Sequence, residues 1–463
     1  MDRNLFRISL TAALAGFLFG FDTVVISGAN QPIKELWGTN WFLGDSVFTF
    51  HGIFIMSMAL WGTVMGSLLG GIPTESLGRK KTLLWIGILY FVSAVGTALA
   101  PEAYSFSFFR FIGGIGVGAS SVAAPIYISE ISGPSTRGRL TALYQFNIVF
   151  GILLAFISNY IIGQLFQQQV AWRWMLGVEA LPALIYTLLV FRLPNSPRWL
   201  AMKGREDILV IRSMSLLGIA RDRALIQLEE IKLNLRQGVD KQRENLFSGK
   251  YNKSLMLAFF IAFFNQLSGI NFILYYAPEI LERAGYGSGE SLLSSISIGL
   301  VNLIFTFVGI SLIDRMGRKQ LMVLGSIGYI ISLSMVAWCF HSVAHPTLLL
   351  VFILLFIASH AIGQGTVIWV FIAEVFPNRV RSYGQSWGTG THWVFAALIT
   401  LLTPTFLDAE IGLFRDNPWP IFVFFALMMV LQLLWVIFAM PETKGISLEE
   451  LGRLIGGKKQ RKP

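Results

Sequence analysis

Long apolar runs separated by short polar connections recur along nearly the whole chain. A helix needs about 20 apolar residues to cross the hydrocarbon of a bilayer. The runs predict twelve such spans, near residues 5–29, 47–74, 82–100, 104–131, 139–163, 172–193, 253–284, 292–313, 320–341, 347–375, 382–406 and 418–440. The expectation is an all-α polytopic membrane protein, because a helix satisfies its own backbone in lipid. Composition agrees: 54% of the 463 residues are hydrophobic and 13% charged, with a mean hydropathy of +0.63. No soluble core of this size needs so many long apolar runs. The first span is too long and too Gly-interrupted for a cleaved signal peptide.

The polar residues inside these spans carry the chemistry. No charge falls between Lys253 and Glu279, yet this stretch reads Phe264-Asn265-Gln266-Leu267-Ser268-Gly269-Ile270-Asn271 and runs on to Tyr275-Tyr276-Ala277-Pro278. Carboxamides in hydrocarbon cost free energy unless they find partners, so they face a protein interior or a wet cavity. On an unbroken helix Gln266 and Asn271 would lie about 140° apart, too far to converge. A break at Ser268-Gly269 would turn both toward one place and free backbone carbonyls there. Asn271 and Tyr275 share a helix face. The alternative is a hydrogen-bonded cluster that only holds helices together; three carboxamides beside a break favour a ligand site.

Asp22 is the single charge between Arg7 and Lys34, and Arg110 lies within the fourth span. A charge at a span centre costs roughly 2.5–3.5 kcal/mol on insertion scales, so both are functional candidates. Opposite span directions put them at similar depth, able to pair; a static pair that only joins helices is the rival reading. Gly62, Gly66 and Gly70, with Gly114 and Gly118, have helix-packing spacing, which in a span outweighs a nucleotide-loop reading of Gly113–Gly118. Further polar positions are Asn302 in span 8, Gly363-Gln364-Gly365 with Trp369 in span 10, and His392-Trp393 in span 11. Trp beside breakable helix suits the apolar face of a sugar ring.

Lys and Arg concentrate in the connections after even-numbered spans: Arg79-Lys80-Lys81, Arg137 and Arg139, the segment from Arg198, Arg315/Arg318/Lys319, and Arg379/Arg381. This asymmetry predicts cytoplasmic termini, and it accounts for most of the net charge of +10, with anionic-lipid contact as its by-product and no nucleic-acid partner.

The chain also repeats. Gly71–Lys80 resembles Gly309–Lys319, Glu130 before Arg137 is echoed by Glu374 before Arg381, and Pro194–Arg198 matches Pro441–Gly445. The separations are 239 residues from Gly78 to Gly317, 244 from Glu130 to Glu374 and 247 from Pro194 to Pro441. A near-constant offset predicts two six-helix halves in the same orientation, one repeat type of secondary transporters. The expected organisation is residues 1–193, a cytoplasmic helical linker 194–251, residues 252–441 and a cytoplasmic tail 442–463. In the linker Leu209, Ile211, Leu216, Leu217, Ile226 and Leu228 alternate with charge, as amphipathic helices do. Five His and one Cys assemble no metal cluster, thiol centre or catalytic set, so neither an enzyme nor a cofactor is expected.

These residues together resemble the sugar-porter branch of the major facilitator superfamily, over essentially the whole chain. The motifs are Gly309–Lys319, Gln266–Asn271 with Tyr275-Tyr276, Pro194–Arg198 and Pro441–Gly445. The resemblance implies the major facilitator fold and a multi-pass protein of the plasma (inner) membrane, functional as a monomer in the lipid bilayer. Its partners would be a monosaccharide and the proton. Implied sugar contacts are Gln145, Asn265, Gln266, Asn271, Asn302, Trp369, His392 and Trp393, with Tyr275 and Tyr276 as gate. Asp22 and Arg110 fall on the proton-coupling positions of bacterial sugar/proton symporters; Glu179 in the sixth span, read from the residues alone, is the second choice for the proton carrier, with a structural role favoured for it. Glu75, Arg79, Glu130, Arg137, Asp314, Arg318, Glu374 and Arg381 correspond to a conformational latch. Departures are Glu75-Ser76 for the usual Asp-Arg, Asn265 for a second Gln, His392 for an amide, Thr366 for Pro, and Asn195 for an acid. The implied function is proton-coupled monosaccharide import by alternating access; a facilitative uniporter and a non-transporting sugar sensor are the alternatives.

Overall fold

In the computed structural model, residues 3–37, 49–132, 136–239, 246–377 and 380–445 are described. The start of the second predicted span, Arg379 and the tail beyond Gly445 lie outside them, as does the side chain of Arg137. Among the described residues eleven helices are long and apolar enough to cross a membrane.

The second predicted span differs from the rest. Instead of one helix over 47–74 it consists of a π-helical turn His51–Met56, a helix Met58–Leu69 and a short helix Gly71–Ser76. Its interruptions fall at Ser57, whose Oγ donates to the Ile53 carbonyl at 3.1 Å, and at Gly70-Gly71, where helix restraint is weakest. Three other spans are interrupted at polar or proline positions. The sixth breaks between Gly177 and Ala180, because Pro182 has no N–H for the Val178 carbonyl. The seventh divides into Asn252–Leu267 and Ile270–Arg283, and the tenth into Pro346–Ile362 and Gln364–Glu374.

By packing, the described residues form two compact units, one from residues 1–25, 58–155 and 172–242, the other from 26–57, 156–171 and 243–463. In the first unit the glycine stripe brings Met58–Leu69 against Ala103–Ile131. A Cβ on Gly114 would overlap the Ala59 carbonyl oxygen, and one on Gly118 the Thr63 carbonyl, so close helix packing is the use of these glycines. The linker adds Pro197–Met202, Asp207–Leu216 and Arg221–Val239 to this unit, with a small core of Trp199, Leu200, Val210, Met214, Ala224 and Leu228. Leu217 and Leu228 are buried as the alternation predicts, but Leu209, Leu216 and Ile226 are exposed. Apolar residues stand on both sides of Asp207–Leu216, and the stripe that packs is Val210, Met214, Leu217, at i, i+4, i+7. Trp199 ties this core to the connection before Arg79, donating from Nε1 to the Glu75 carbonyl at 2.9 Å.

The internal duplication is visible in hydrogen bonds as well as in sequence. In the first unit Arg79 pairs with Glu130 at 2.7 Å and Ser196 Oγ donates to the same carboxylate at 2.6 Å. In the second unit Arg318 pairs with Glu374 at 2.8 Å and Thr443 Oγ1 donates to it at 2.6 Å. The three residues recur at the same offsets as the motifs. Of the remaining latch candidates, Asp314 lies 3.7 Å from Arg318, Arg381 Nε donates to the Phe376 carbonyl at 3.3 Å, and Glu75 is exposed.

The halves differ at one member. Glu442 accepts the backbone N–H groups of Arg318, Lys319, Thr443 and Lys444 at 2.8–3.0 Å, whereas Asn195 holds the equivalent place in the first half. Burial pushes the Glu442 carboxyl up, but the N–H donors of Lys444, Arg318, Lys319 and Thr443 outweigh it and hold it below its usual 4.5. A depressed folded value means stabilisation that is present above the unfolded value and lost as pH falls through the folded one. Glu442→Gln should lower the melting temperature of the detergent-solubilised protein at pH 7, by the equivalent of about 1 kcal/mol, and the gap to the parent should close below pH 4.5; an equal gap at both pH values refutes the account. Gly114→Val should prevent the first unit from packing, read as loss of the monodisperse species on size exclusion.

Candidate functional site

Sequence-predicted polar clusters sit deep inside the spans of both units. In the first unit Asp22, on the helix Arg3–Trp37, and Arg110, on Ala103–Ile131, are both 2% exposed. Arg110 Nη1 donates to Asp22 Oδ1 at 2.6 Å, and Nη2 reaches the Asp22 main-chain carbonyl at 3.4 Å. A Cβ at Gly113 would clash with Ser93 Oγ and would lie in ordinary contact with Asp22 Oδ1, at 3.8 Å. Glu179 stands at the interruption of the sixth span, 2% exposed, close enough to Asp22 and Arg110 for both charges to act on it. The pairing of Asp22 with Arg110 expected from the sequence is present, and the second candidate acid lies near it.

The second cluster is built on the seventh-span break. Gly269 adopts φ +85°, ψ +15°, the left-handed region open to glycine, and a Cβ there would sit 2.8 Å from the Phe425 ring. The turn swings Asn271 back toward Gln266: Asn271 Nδ2 donates to Gln266 Oε1 at 3.0 Å, a contact an unbroken helix forbids. Gln266 Nε2 in turn lies 3.1 Å from Asn265 Oδ1 and 3.1 Å from His392 Nε2. His392 packs between two indoles, with ring centroids 4.9 Å from Trp369 and 4.8 Å from Trp393. Six of the eight sequence-predicted sugar positions are thus joined by polar contacts or through the His392 ring: Asn265, Gln266, Asn271, Trp369, His392 and Trp393. Asn302 is buried on Ser288–Met316 and shows none of these bonds; Gln145 is half-buried on Arg137–Leu165 in the first unit. Of the tyrosine pair, Tyr275 and Tyr276 are both buried, and Tyr276 leaves helical geometry (φ −116°, ψ +18°) while its hydroxyl donates to the Thr400 carbonyl at 3.0 Å.

Sequence reasoning passed over a network behind this cluster. Tyr329 Oη lies 2.6 Å from His360 Nδ1 and 3.3 Å from Gln364 Oε1, Gln364 bonds Gln432, and Gln432 Nε2 donates to Ser326 Oγ at 2.7 Å. These residues flank the tenth-span break at Gly363. The in-span amide Gln432, alone in an otherwise apolar run, was the legible signal. A third cluster, around Asn30, His51 and Glu279, was also passed over.

A family model described as Sugar (and other) transporter matches residues 8–455. The D-xylose-proton symporter of Escherichia coli (strain K12) is 31% identical, over 97% of this chain and 95% of its own length. The arabinose-proton symporter of Bacillus subtilis (strain 168) is likewise 31% identical, over 96% and 94%, and the galactose-proton symporter of Escherichia coli (strain K12) 31% identical over 98% and 96%. Among solved structures, the partially occluded inward open conformation of the xylose transporter XylE from E. coli superposes with a TM-score of 0.82 at 29% identity, covering 96% of this chain and 100% of that one. The proton:xylose symporter XylE bound to 6-bromo-6-deoxy-D-glucose, of the major facilitator superfamily, gives 0.78 at 30% identity, covering 97% and 98%. Paired in-span charges, a carboxamide cluster on a broken helix and a duplicated inner cluster accordingly find their family: this multi-pass membrane protein belongs to the sugar transporters of the major facilitator superfamily.

Proposed function

We propose that the chain imports a monosaccharide by proton symport through alternating access, and that it is a transporter without enzymatic chemistry. The observation that carries the proton half is the buried Asp22–Arg110 pair, with Glu179 close by. Protonating Asp22 neutralises its attraction to Arg110 and changes which packing of the spans is favoured. Sugar and proton are then coupled through one shared conformational equilibrium. The names of three relatives, symporters of protons with xylose, arabinose or galactose, support the same reading, and a pentose or hexose is the proposed substrate class.

On the sugar side, Gln266, Asn271 and His392 present donors and acceptors beside the Trp369 face, and Asn265, Asn302, Gln145 and Trp393 are proposed as further contacts. Net hydrogen bonds near 1 kcal/mol each plus one stacking contact give about −4 to −8 kcal/mol, or millimolar to micromolar affinity. Such weak binding suits a carrier that must also release. Tyr275 and Tyr276 are the proposed gate. The Arg79–Glu130–Ser196 and Arg318–Glu374–Thr443 clusters are the proposed latch, with Glu75, Arg137, Asp314 and Arg381 as its outer members. Lys and Arg placement supports cytoplasmic termini; residence in the plasma (inner) membrane, with the monomer in the lipid bilayer as the working unit, is part of the same proposal.

In right-side-out vesicles, Asp22→Asn should abolish uphill accumulation of a labelled pentose or hexose while leaving exchange between equal pools; intact concentrative uptake in that variant would remove the proton from the mechanism and leave a uniporter. Gln266→Ala breaks the contacts to Asn271 and His392 together and should raise the KM for sugar about tenfold, the equivalent of 1.4 kcal/mol; an unchanged KM would place the sugar elsewhere.

A further inference from the structure

The second unit holds another buried polar cluster, which neither the sugar nor the Asp22 site uses. Asn30 lies on the helix Arg3–Trp37, His51 begins the π-helical turn and Glu279 lies on Ile270–Arg283; they are 2%, 6% and 7% exposed. Asn30 Nδ2 donates to Glu279 Oε2 at 2.7 Å, and Asn30 Oδ1 lies 2.6 Å from His51 Nε2. An amide has its donors on nitrogen only and its acceptor on oxygen. With the nitrogen turned to Glu279, the oxygen must accept, so His51 carries its hydrogen on Nε2. His51 Nδ1 is then the far end of the chain, buried and without a hydrogen-bond partner among the described residues.

Charge counting makes Glu279 the odd member. The charged groups that act on it are Lys34, Asp408 and Glu282. Lys34 is already paired with Asp408 at 2.5 Å, and Glu282 accepts from Ser291 Oγ at 3.2 Å. Tyr276 also faces Glu279, but its hydroxyl donates to the Thr400 carbonyl. Among the described residues no cation lies within ion-pair distance of Glu279. A buried carboxylate without a cation of its own is costly, and taking a proton removes the cost.

We infer that Glu279, linked through Asn30 to His51, is a second proton-binding site, separate from Asp22. The site is complete only while the segments bearing Asn30 and His51 are packed against Ile270–Arg283. When they part, the carboxyl meets water and ionises; when they pack, it takes up a proton. Low pH therefore favours the packed arrangement and high pH the parted one. On the symport reading above, this makes one closing step of the transport cycle sensitive to pH independently of coupling through Asp22.

Ile33, between Asn30 and Lys34 on the same helix, is fully buried, while Leu36 is 53% exposed. With Cys339 replaced by Ser, Ile33→Cys protein in nanodiscs is labelled with a maleimide between pH 5.5 and 8.5, and each rate is divided by that of Leu36→Cys to remove the thiol's own titration. The normalised rate should rise severalfold toward pH 8.5. Glu279→Gln, fixed in the neutral form, should give a low and flat profile, and Glu279→Asp should keep the rise with a moved midpoint, so a variant that retains the acid carries the test if the amide fails to fold. Asp22→Asn should leave the rise intact. A flat profile in the parent, an unchanged rise in Glu279→Gln, or loss of the rise in Asp22→Asn would each overturn the inference. The labelling needs neither sugar nor a gradient, so its failure leaves the symport reading to be judged by accumulation alone.

Discussion

In a chain that lives in hydrocarbon, every polar group must be satisfied by the protein itself, and this constraint organises the molecule. Where a helix is regular, its backbone is satisfied and its side chains are apolar. Where it is interrupted, carbonyls and polar side chains come together, because only there can they serve one another. The interruption at Pro182 places Glu179 beside Asp22 and Arg110. The turn at Gly269 brings Asn271 onto Gln266 and Gln266 onto His392. The break at Gly363 lies next to the Tyr329–His360–Gln364–Gln432 network. The chemistry is thus found at defects in the helices, and the glycine-packed stretches between them hold the defects in place.

Much of this was legible in the sequence, for physical reasons. The seventh-span break followed from helix geometry, since Gln266 and Asn271 cannot converge without it. The pairing of Asp22 with Arg110 followed from the cost of two isolated charges at one depth. Close packing at Gly114 and Gly118 followed from spacing alone. Other features were hidden. The broken second span was not foreseen, because His51 to Ser76 has the hydropathy of a continuous helix and the interruption depends on local backbone bonding. The packed face of Asp207–Leu216 was ambiguous, because leucines stand on both sides. The Asn30–His51–Glu279 cluster joins residues 249 and 21 positions apart, each unremarked alone and meaningful only when folded together.

The internal repeat shows which contacts the two units share and where they differ. Arginine, glutamate and a hydroxyl residue recur in the same hydrogen-bonded triangle in each unit, at offsets that match the sequence motifs. The fourth member has diverged: Glu442 gathers four backbone N–H groups, while Asn195 stands in the first half. The two copies therefore share geometry but differ in charge, and the second is the more firmly tied at neutral pH.

Arg110 holds Asp22 in two ways, through the carboxylate and, more loosely, through the main-chain carbonyl of the same residue. Only the first of these responds to a proton. The guanidinium thus has an anchor that chemistry on the side chain cannot release, so cohesion between the two helices and communication between them are carried by different atoms. On the proposed symport cycle, neutralising the Asp22 side chain would remove only the first contact, so the change of packing would be a rearrangement about a retained main-chain contact.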